Sequence, residues 1–353
     1  MKNAESKESL QKRMRDVVIE LLNVGYDTDT LRQHLIQLNR VFTDISLVRG
    51  EETDEAKNNY MALSSGIAIS PEFAAMNLRD VLRTVKYLRG IKAAIDATKE
   101  RLNGERVHLL YAGCGPYGTL VLPLLTLYKP EELKVTLLEI QPKALASVRD
   151  ICNSMGFAEF IGGIIQTDAT QYQHPSDDPI HIITMECMRH ALAHEPQVSI
   201  SRNLTAQLSK DGFLIPEEVR VSFYAVDPEI EFNMKGKGEG KEKVRQYLGE
   251  IFVLDKDCHK LNIIDNQDGN APFIQAATIT LPDDLKPLLP LMFFTELKLF
   301  GDIMLSYSES GITHPLIVGQ QDSFNIGDEM IFKYRLDNNP QFYYEKTTTD
   351  PWV

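Results

Sequence analysis

The 353-residue sequence predicts three parts: a helical extension over residues 1–60, an α/β unit with a parallel sheet over 61–215, and a β-rich domain over 216–353. Three observations carry that reading. Apolar residues recur at helical spacing between residue 8 and about 48. Short apolar runs alternate with helical stretches from 107 to 215. After Pro216 the texture becomes a series of strand-like runs.

In the first part, Leu10, Met14, Val17, Val18, Leu21 and Leu22 mark one helix face, and Leu31, Leu35, Leu38 and Phe42 mark a second. "GYDTDT" separates them with cap-forming residues, and the polar "RGEETDEAKNN" reads as a linker. Such a hairpin must bury its apolar face on its own chain or on a partner. Residues 70–101 again read as helical. Then follow "VHLLYAG", a helix through "TLVLPLLTLY", "KVTLLEI", a helix through "PKALASVRDICNSM", "FIGGIIQTD" and "IHIITME". In the last part "EVRVSFYAV", "EIFVLD", "FIQAATITL", "DIMLSYSE", "DEMIFKYRL" and "QFYYEK" read as antiparallel strands, and "KGKGEGKEK" (235–243) as a solvated loop.

Composition narrows the function. With 37 basic and 50 acidic residues the net charge is −13, which disfavours nucleic acid as a partner, because phosphate binding needs clustered cations. The N-terminus is charged and lacks an apolar leader, and no apolar run is long enough to span a bilayer, so a cytoplasmic protein is expected. Cys114, Cys152, Cys187 and Cys258 form no CxxC pair and read as reduced thiols, with no metal site.

"LLYAGCGPYGTL" sets Gly113, Gly115 and Gly118 as GxGxxG between a strand and a helix, where backbone can approach a ligand closely. Glu139 ends the next strand, where a carboxylate accepts hydrogen bonds from ribose hydroxyls. A dinucleotide and an adenosyl cofactor fit this pattern equally well. Arg83, on the helix before the first strand, adds a cation suited to the carboxylate of S-adenosylmethionine, and Asp168 follows the third strand where an adenine is held.

Glu186 follows the fourth strand, and Glu195 lies nine positions later across a short loop. Two buried carboxylates repel unless a cation sits between them, and a guanidinium meets both with its planar fork of donors. A metal or an acid–base pair are the alternatives. Cys187, His190 and His194 supply no recognised ligand spacing.

With Met188 two after the first glutamate, this loop resembles the double-glutamate loop of the protein arginine methyltransferases. "LSKDGFLIPEEVRVSFYAV" is similar to that family's passage from cofactor domain into β-barrel, and "RDVLRTVKY" to its N-terminal helix. "ITHPLIVGQQDSFNIGDEMIFKYRL" resembles its Thr-His-Trp segment, with Thr313 and His314 matching. The resemblance covers roughly residues 70 to 340. It implies a Rossmann-like methyltransferase domain followed by a β-barrel, with S-adenosyl-L-methionine as methyl donor and transfer to a guanidino nitrogen. It further implies that Glu186, Glu195 and Met188 bind the acceptor, that Arg83, Gly113, Gly115, Gly118, Glu139 and Asp168 bind the cofactor, and that His314 pairs with Asp80 to take up the released proton. A homodimer joined by an arm near "KGKGEGKEKVRQYLGEIF" is implied as well.

The sequence departs from the family at the acceptor side. Pro315 replaces the Trp, "SSGIAIS" stands where a Tyr-Phe pair belongs, Tyr111 occupies an acidic position, and residues 1–60 match nothing in the catalytic core. These departures favour free L-arginine or another small guanidino compound over an arginine-containing peptide. Competing readings are methylation of another small amine, a nicotinamide-dependent dehydrogenase, which leaves Arg83 and the glutamate spacing unexplained, and a non-catalytic binding protein.

Overall fold

A computed structural model describes residues 6–232, 245–265, 271–285, 289–319 and 324–347 of the chain. The expected dimerisation arm falls partly outside them: 235–244 are not described, and Arg245 begins a strand.

Helices α1 (Lys7–Asn23) and α2 (Thr28–Ile45) form the predicted hairpin. Ser6 and Asp27 cap them with side-chain oxygens. Its apolar face is buried on its own chain. Leu10, Met14, Val17, Val18 and Leu21 of α1, with Leu31, Leu35, Leu38, Val41 and Phe42 of α2, join the main core. The Phe42 ring stacks on Tyr117 at 4.9 Å, and Arg89 donates to the Leu21 carbonyl near the end of α1. The extension is therefore part of the α/β unit's packing.

A small hairpin (Met61–Leu63 with Gly66–Ala68) and a short helix (Pro71–Met76) lead to α3 (Val81–Leu102). Five strands follow: β1 (Val107–Ala112), β2 (Leu133–Glu139), β3 (Ile161–Gln166), β4 (Ile180–Met185) and β5 (Leu208–Ile215). They pair in parallel in the order β3-β2-β1-β4-β5. Helices α4 (Pro142–Met155) and α5 (Gln197–Thr205) flank the sheet. The order reverses between β1 and β4, so a crevice opens at their carboxyl ends. Register brings the site residues to that edge: Ala112 pairs with Leu138 and with Met185, so Gly113, Glu139 and Glu186 follow at one level.

One expected helix differs. "TLVLPLLTLY" forms a six-residue 3-10 stretch, Leu122–Leu127, with Pro123 near its start. Proline lacks the N–H that an α-helical ladder would use, and the stretch is too short for a helix dipole to act on a ligand.

After Pro216 come two antiparallel sheets. One contains β6 (Glu218–Val226), β7 (Arg245–Asp255), β10 (Leu291–Phe300), β11 (Ile303–Leu305) and β12 (Leu316–Gly319). The other contains β8 (Ile263–Ile264), β9 (Phe273–Thr280), β13 (Glu329–Arg335) and β14 (Gln341–Thr347). Their inner faces share an aromatic core, with Phe223 and Phe293 of the first sheet against Phe332 and Phe342 of the second at 5.1 to 5.6 Å. The expected barrel is thus barrel-like, and among the described residues no ladder joins the two sheets. Sequence periodicity did not predict strand β10, which lies between β6, β11 and β12, nor β5, β8 and β12. No described helix is long and apolar enough to cross a membrane.

Candidate active site

The crevice at the carboxyl ends of β1 and β4 has an empty volume of about 930 Å³, part of it open to solvent. Arg83, Gly113, Gly115, Glu139, Asp168, Glu186 and Glu195 all line it, together with Tyr111, Cys187 and the hairpin residues Leu63 and Ile67. Seven of the predicted residues are therefore gathered in one cavity, although they come from a helix, four strand ends and a loop.

The Gly-rich turn passes close beneath the crevice floor. Gly113 has φ +67°, and a Cβ there would lie 2.3 Å from the Cys187 sulfur, so only glycine fits. Gly118 lines no part of the cavity. A Cβ at that position would meet Leu122 at 2.6 Å, so this glycine serves packing. Glu139 is buried and accepts hydrogen bonds from the backbone N–H groups of Gly115, Ile140 and Gln141, each at 2.8 Å. Burial raises its proton affinity and those three donors oppose the rise. The Asp168 carboxylate accepts from the Thr170 backbone N–H and hydroxyl at 2.9 and 2.8 Å, which holds the turn after β3.

Arg83 and Glu186 form a buried ion pair, with side chains 7% and 4% exposed. The same guanidinium donates to the Asn77 carbonyl at 3.1 Å. Its Nε is buried with no partner among the described residues. Four residues along α3, on the same face, the Tyr87 hydroxyl is also buried without one. Glu195 is 9% exposed, and burial pushes its carboxyl up to about 7. The charges of Arg189 and Arg83 pull the other way through space.

Between the two glutamates the loop takes left-handed backbone at Ala191, Leu192 and His194 (φ 51°, 56° and 68°). Neighbours hold each turn of it. Thr295 accepts from the Ala191 N–H, the Tyr334 hydroxyl donates to the Leu192 carbonyl at 2.7 Å, and His194 donates to the Pro340 carbonyl. Ile67 of the small hairpin donates to the His194 carbonyl at 2.9 Å. Met188 packs in the core, away from the cavity wall.

Asp80 and His314 are not brought together. The Asp80 carboxylate accepts from the Ser310 hydroxyl at 2.6 Å and the Gly311 N–H at 3.1 Å, docking this loop onto the start of α3. His314 is exposed just beyond it. Sequence reasoning also missed Cys187, which sits against Gly113, and Gln197, whose side chain accepts from the Cys187 N–H at 2.8 Å. The position of Tyr87 four after Arg83 was the available signal for its place on the same helix face.

No family model and no curated protein matches the sequence. Among solved structures, the chain is similar to the Trypanosoma brucei PRMT1 enzyme-prozyme heterotetrameric complex with AdoHcy. The identity is 12% and the TM-score 0.49, over 78% of this chain and 96% of that one.

Proposed function

We propose that the chain is an S-adenosyl-L-methionine-dependent N-methyltransferase acting on a guanidino nitrogen, with free L-arginine or another small guanidino compound as acceptor. The observation that carries this reading is the buried contact of a guanidinium, that of Arg83, with Glu186, beside a second buried carboxyl, Glu195, in the switch-point crevice. Nucleotide-type residues occupy the other walls.

The crevice fits the donor. The orphaned Arg83 Nε is a donor suited to its α-carboxylate, Gly113 and Gly115 leave room for close backbone approach, and Glu139 and Asp168, on the same crevice, would hold its ribose and adenine. The bound cofactor supplies an electrophilic methyl on its sulfonium. The protein's part is alignment of the nucleophile. Glu186 and Glu195 hold the acceptor guanidinium and keep its charge on the two nitrogens they touch, leaving the third free to attack. Because Asp80 and His314 stand apart, proton acceptance falls to the Glu195 carboxylate. Asp80 instead positions the Ser310–Gly311 loop. The hairpin walls Leu63 and Ile67, and Pro315 in place of an aromatic, support a small enclosed acceptor. A homodimer is the assembly we propose, on the sequence resemblance alone.

The test is methyl transfer from labelled donor in direct competition between free L-arginine and an Arg-Gly-rich peptide at equal concentration, read by mass spectrometry. Methylated arginine as the main product is expected. Faster methylation of the peptide overturns the small-acceptor reading, and no guanidine methylation at all overturns the reaction. Thermal stabilisation by S-adenosylhomocysteine and not by NAD separates the two cofactor classes.

A further inference from the structure

The Arg83–Glu186 ion pair joins two residues with different tasks. In the proposed reaction Arg83 serves the cofactor's carboxylate and Glu186 the acceptor's guanidinium, yet here the two pair with each other. We propose that Arg83 is a placeholder: it fills the Glu186 end of the acceptor clamp until the cofactor's carboxylate draws it away, so cofactor binding opens the acceptor site. This inference rests on the proposed function and adds its regulation.

Three observations support the exchange. Both side chains are almost wholly buried, so Arg83 leaves Glu186 only when another anion takes it, and the Glu186 carboxylate it leaves behind calls for a replacement cation. The remaining hold on Arg83 is weak, a single hydrogen bond to the Asn77 carbonyl, while its Nε has no partner among the described residues. Asn77 itself lines the crevice, so the side chain stays on the cavity wall whichever carboxylate it faces. Glu195 completes the clamp. No side chain among the described residues bonds its carboxyl, so it adds a second site for a cation only after Glu186 is released. The same chemistry explains why a guanidine-binding site needs a guanidinium of its own: a fork of N–H donors fits the Glu186 carboxylate, and a lysine would fit less well.

Because the pair competes with the cofactor as well as with the acceptor, the exchange is visible in cofactor binding without any acceptor. Glu186→Gln removes the rival for Arg83. S-adenosylhomocysteine, which carries the carboxylate, should then bind about fivefold or more tightly than to the unaltered protein, the lower end of ordinary coupling between sites. 5′-Methylthioadenosine, which lacks the carboxylate, should bind both proteins equally. Titration calorimetry on the full chain reads all four affinities. Unchanged or weaker S-adenosylhomocysteine binding by Glu186→Gln, with both nucleosides still bound, removes the placeholder and leaves the methyl-donor reading standing. Failure of the unaltered protein to bind either nucleoside removes both.

A second measurement guards against a variant that misfolds. In the unaltered protein, saturating S-adenosylhomocysteine should tighten L-arginine binding at least fivefold, while saturating 5′-methylthioadenosine should not. Equal tightening by the two nucleosides overturns the exchange.

Discussion

Glu195 is a carboxylate that the fold buries without a bonded cation, and Glu195→Gln should therefore make the protein more stable as it loses activity. Burial raises the Glu195 carboxyl from its ordinary 4.5 to about 7. The folded chain thus holds this proton more tightly than the unfolded chain. Below pH 4.5 both states are protonated and the group exerts no effect. As pH rises through 4.5 towards 7, the unfolded state ionises first, and folding loses stability. Above pH 7 the loss is complete, at roughly 3 kcal/mol, given about 1.4 kcal/mol for each factor of ten in the proton equilibrium. Glutamine keeps the shape and removes the titration. Urea unfolding should then show Glu195→Gln more stable by about 3 kcal/mol at pH 8 and by less than about 1 kcal/mol at pH 5. The gain at pH 8 amounts to about 4 °C in Tm, taking an unfolding entropy of about 2.1 cal/mol/K per residue. Every other titrating group is common to both proteins and cancels in the difference. A gain equal at the two pH values, or no gain at pH 8, refutes the reasoning. Loss of guanidine methylation in the same variant ties the destabilising charge to its use.

Two further outcomes follow from the geometry. Gly113→Ala should weaken S-adenosylhomocysteine binding more than tenfold and destabilise the fold by about 1–3 kcal/mol, because its Cβ meets the Cys187 sulfur at 2.3 Å in left-handed backbone. Calorimetry on Gly113→Ala with and without Cys187→Ala should show partial rescue. His108 is buried at the start of β1, and desolvation, helped by Lys134, lowers it from 6.5 to about 4. Its contribution is fully present above pH 6.5 and is lost as pH falls towards 4, by roughly 3 kcal/mol. His108→Gln should flatten unfolding free energy across that window.

The parts most legible in the sequence were those where local pattern and tertiary role coincide. The faces of α1 and α2 follow from apolar spacing alone, and the buried β1, β2 and β4 end on the residues that line the crevice. Strand β10 was hidden because its first half is a continuous apolar run beside Pro287 and Pro290, which lacks the period-two signature. The 3-10 stretch at Leu122–Leu127 has the apolar content of a helix, while Pro123 removes a donor that the longer helix expected over this run would need. Contacts between distant residues were the least legible. The Arg83–Glu186 pair spans one hundred and three positions, and nothing local to either residue indicates that each is the other's partner. Asp80 likewise carries no mark that Ser310 and Gly311 would claim it before His314.

The glutamate loop also accounts for the attachment of the second domain. Three non-glycine residues within it adopt left-handed backbone, a conformation that costs on the order of 1 kcal/mol or more for each. A free loop would relax and carry Glu195 out of the crevice. The restraints come from outside the parallel sheet: Thr295 on β10, Tyr334 on β13, and Pro340 and Asn339 before β14. From the opposite side, the small hairpin bonds the same loop through Ile67 while walling the cavity with Leu63. The β-rich domain thus sets the distance between two carboxylates that the α/β domain supplies. Neither domain alone would hold Glu195 where burial raises its proton affinity, so the site is a property of their contact.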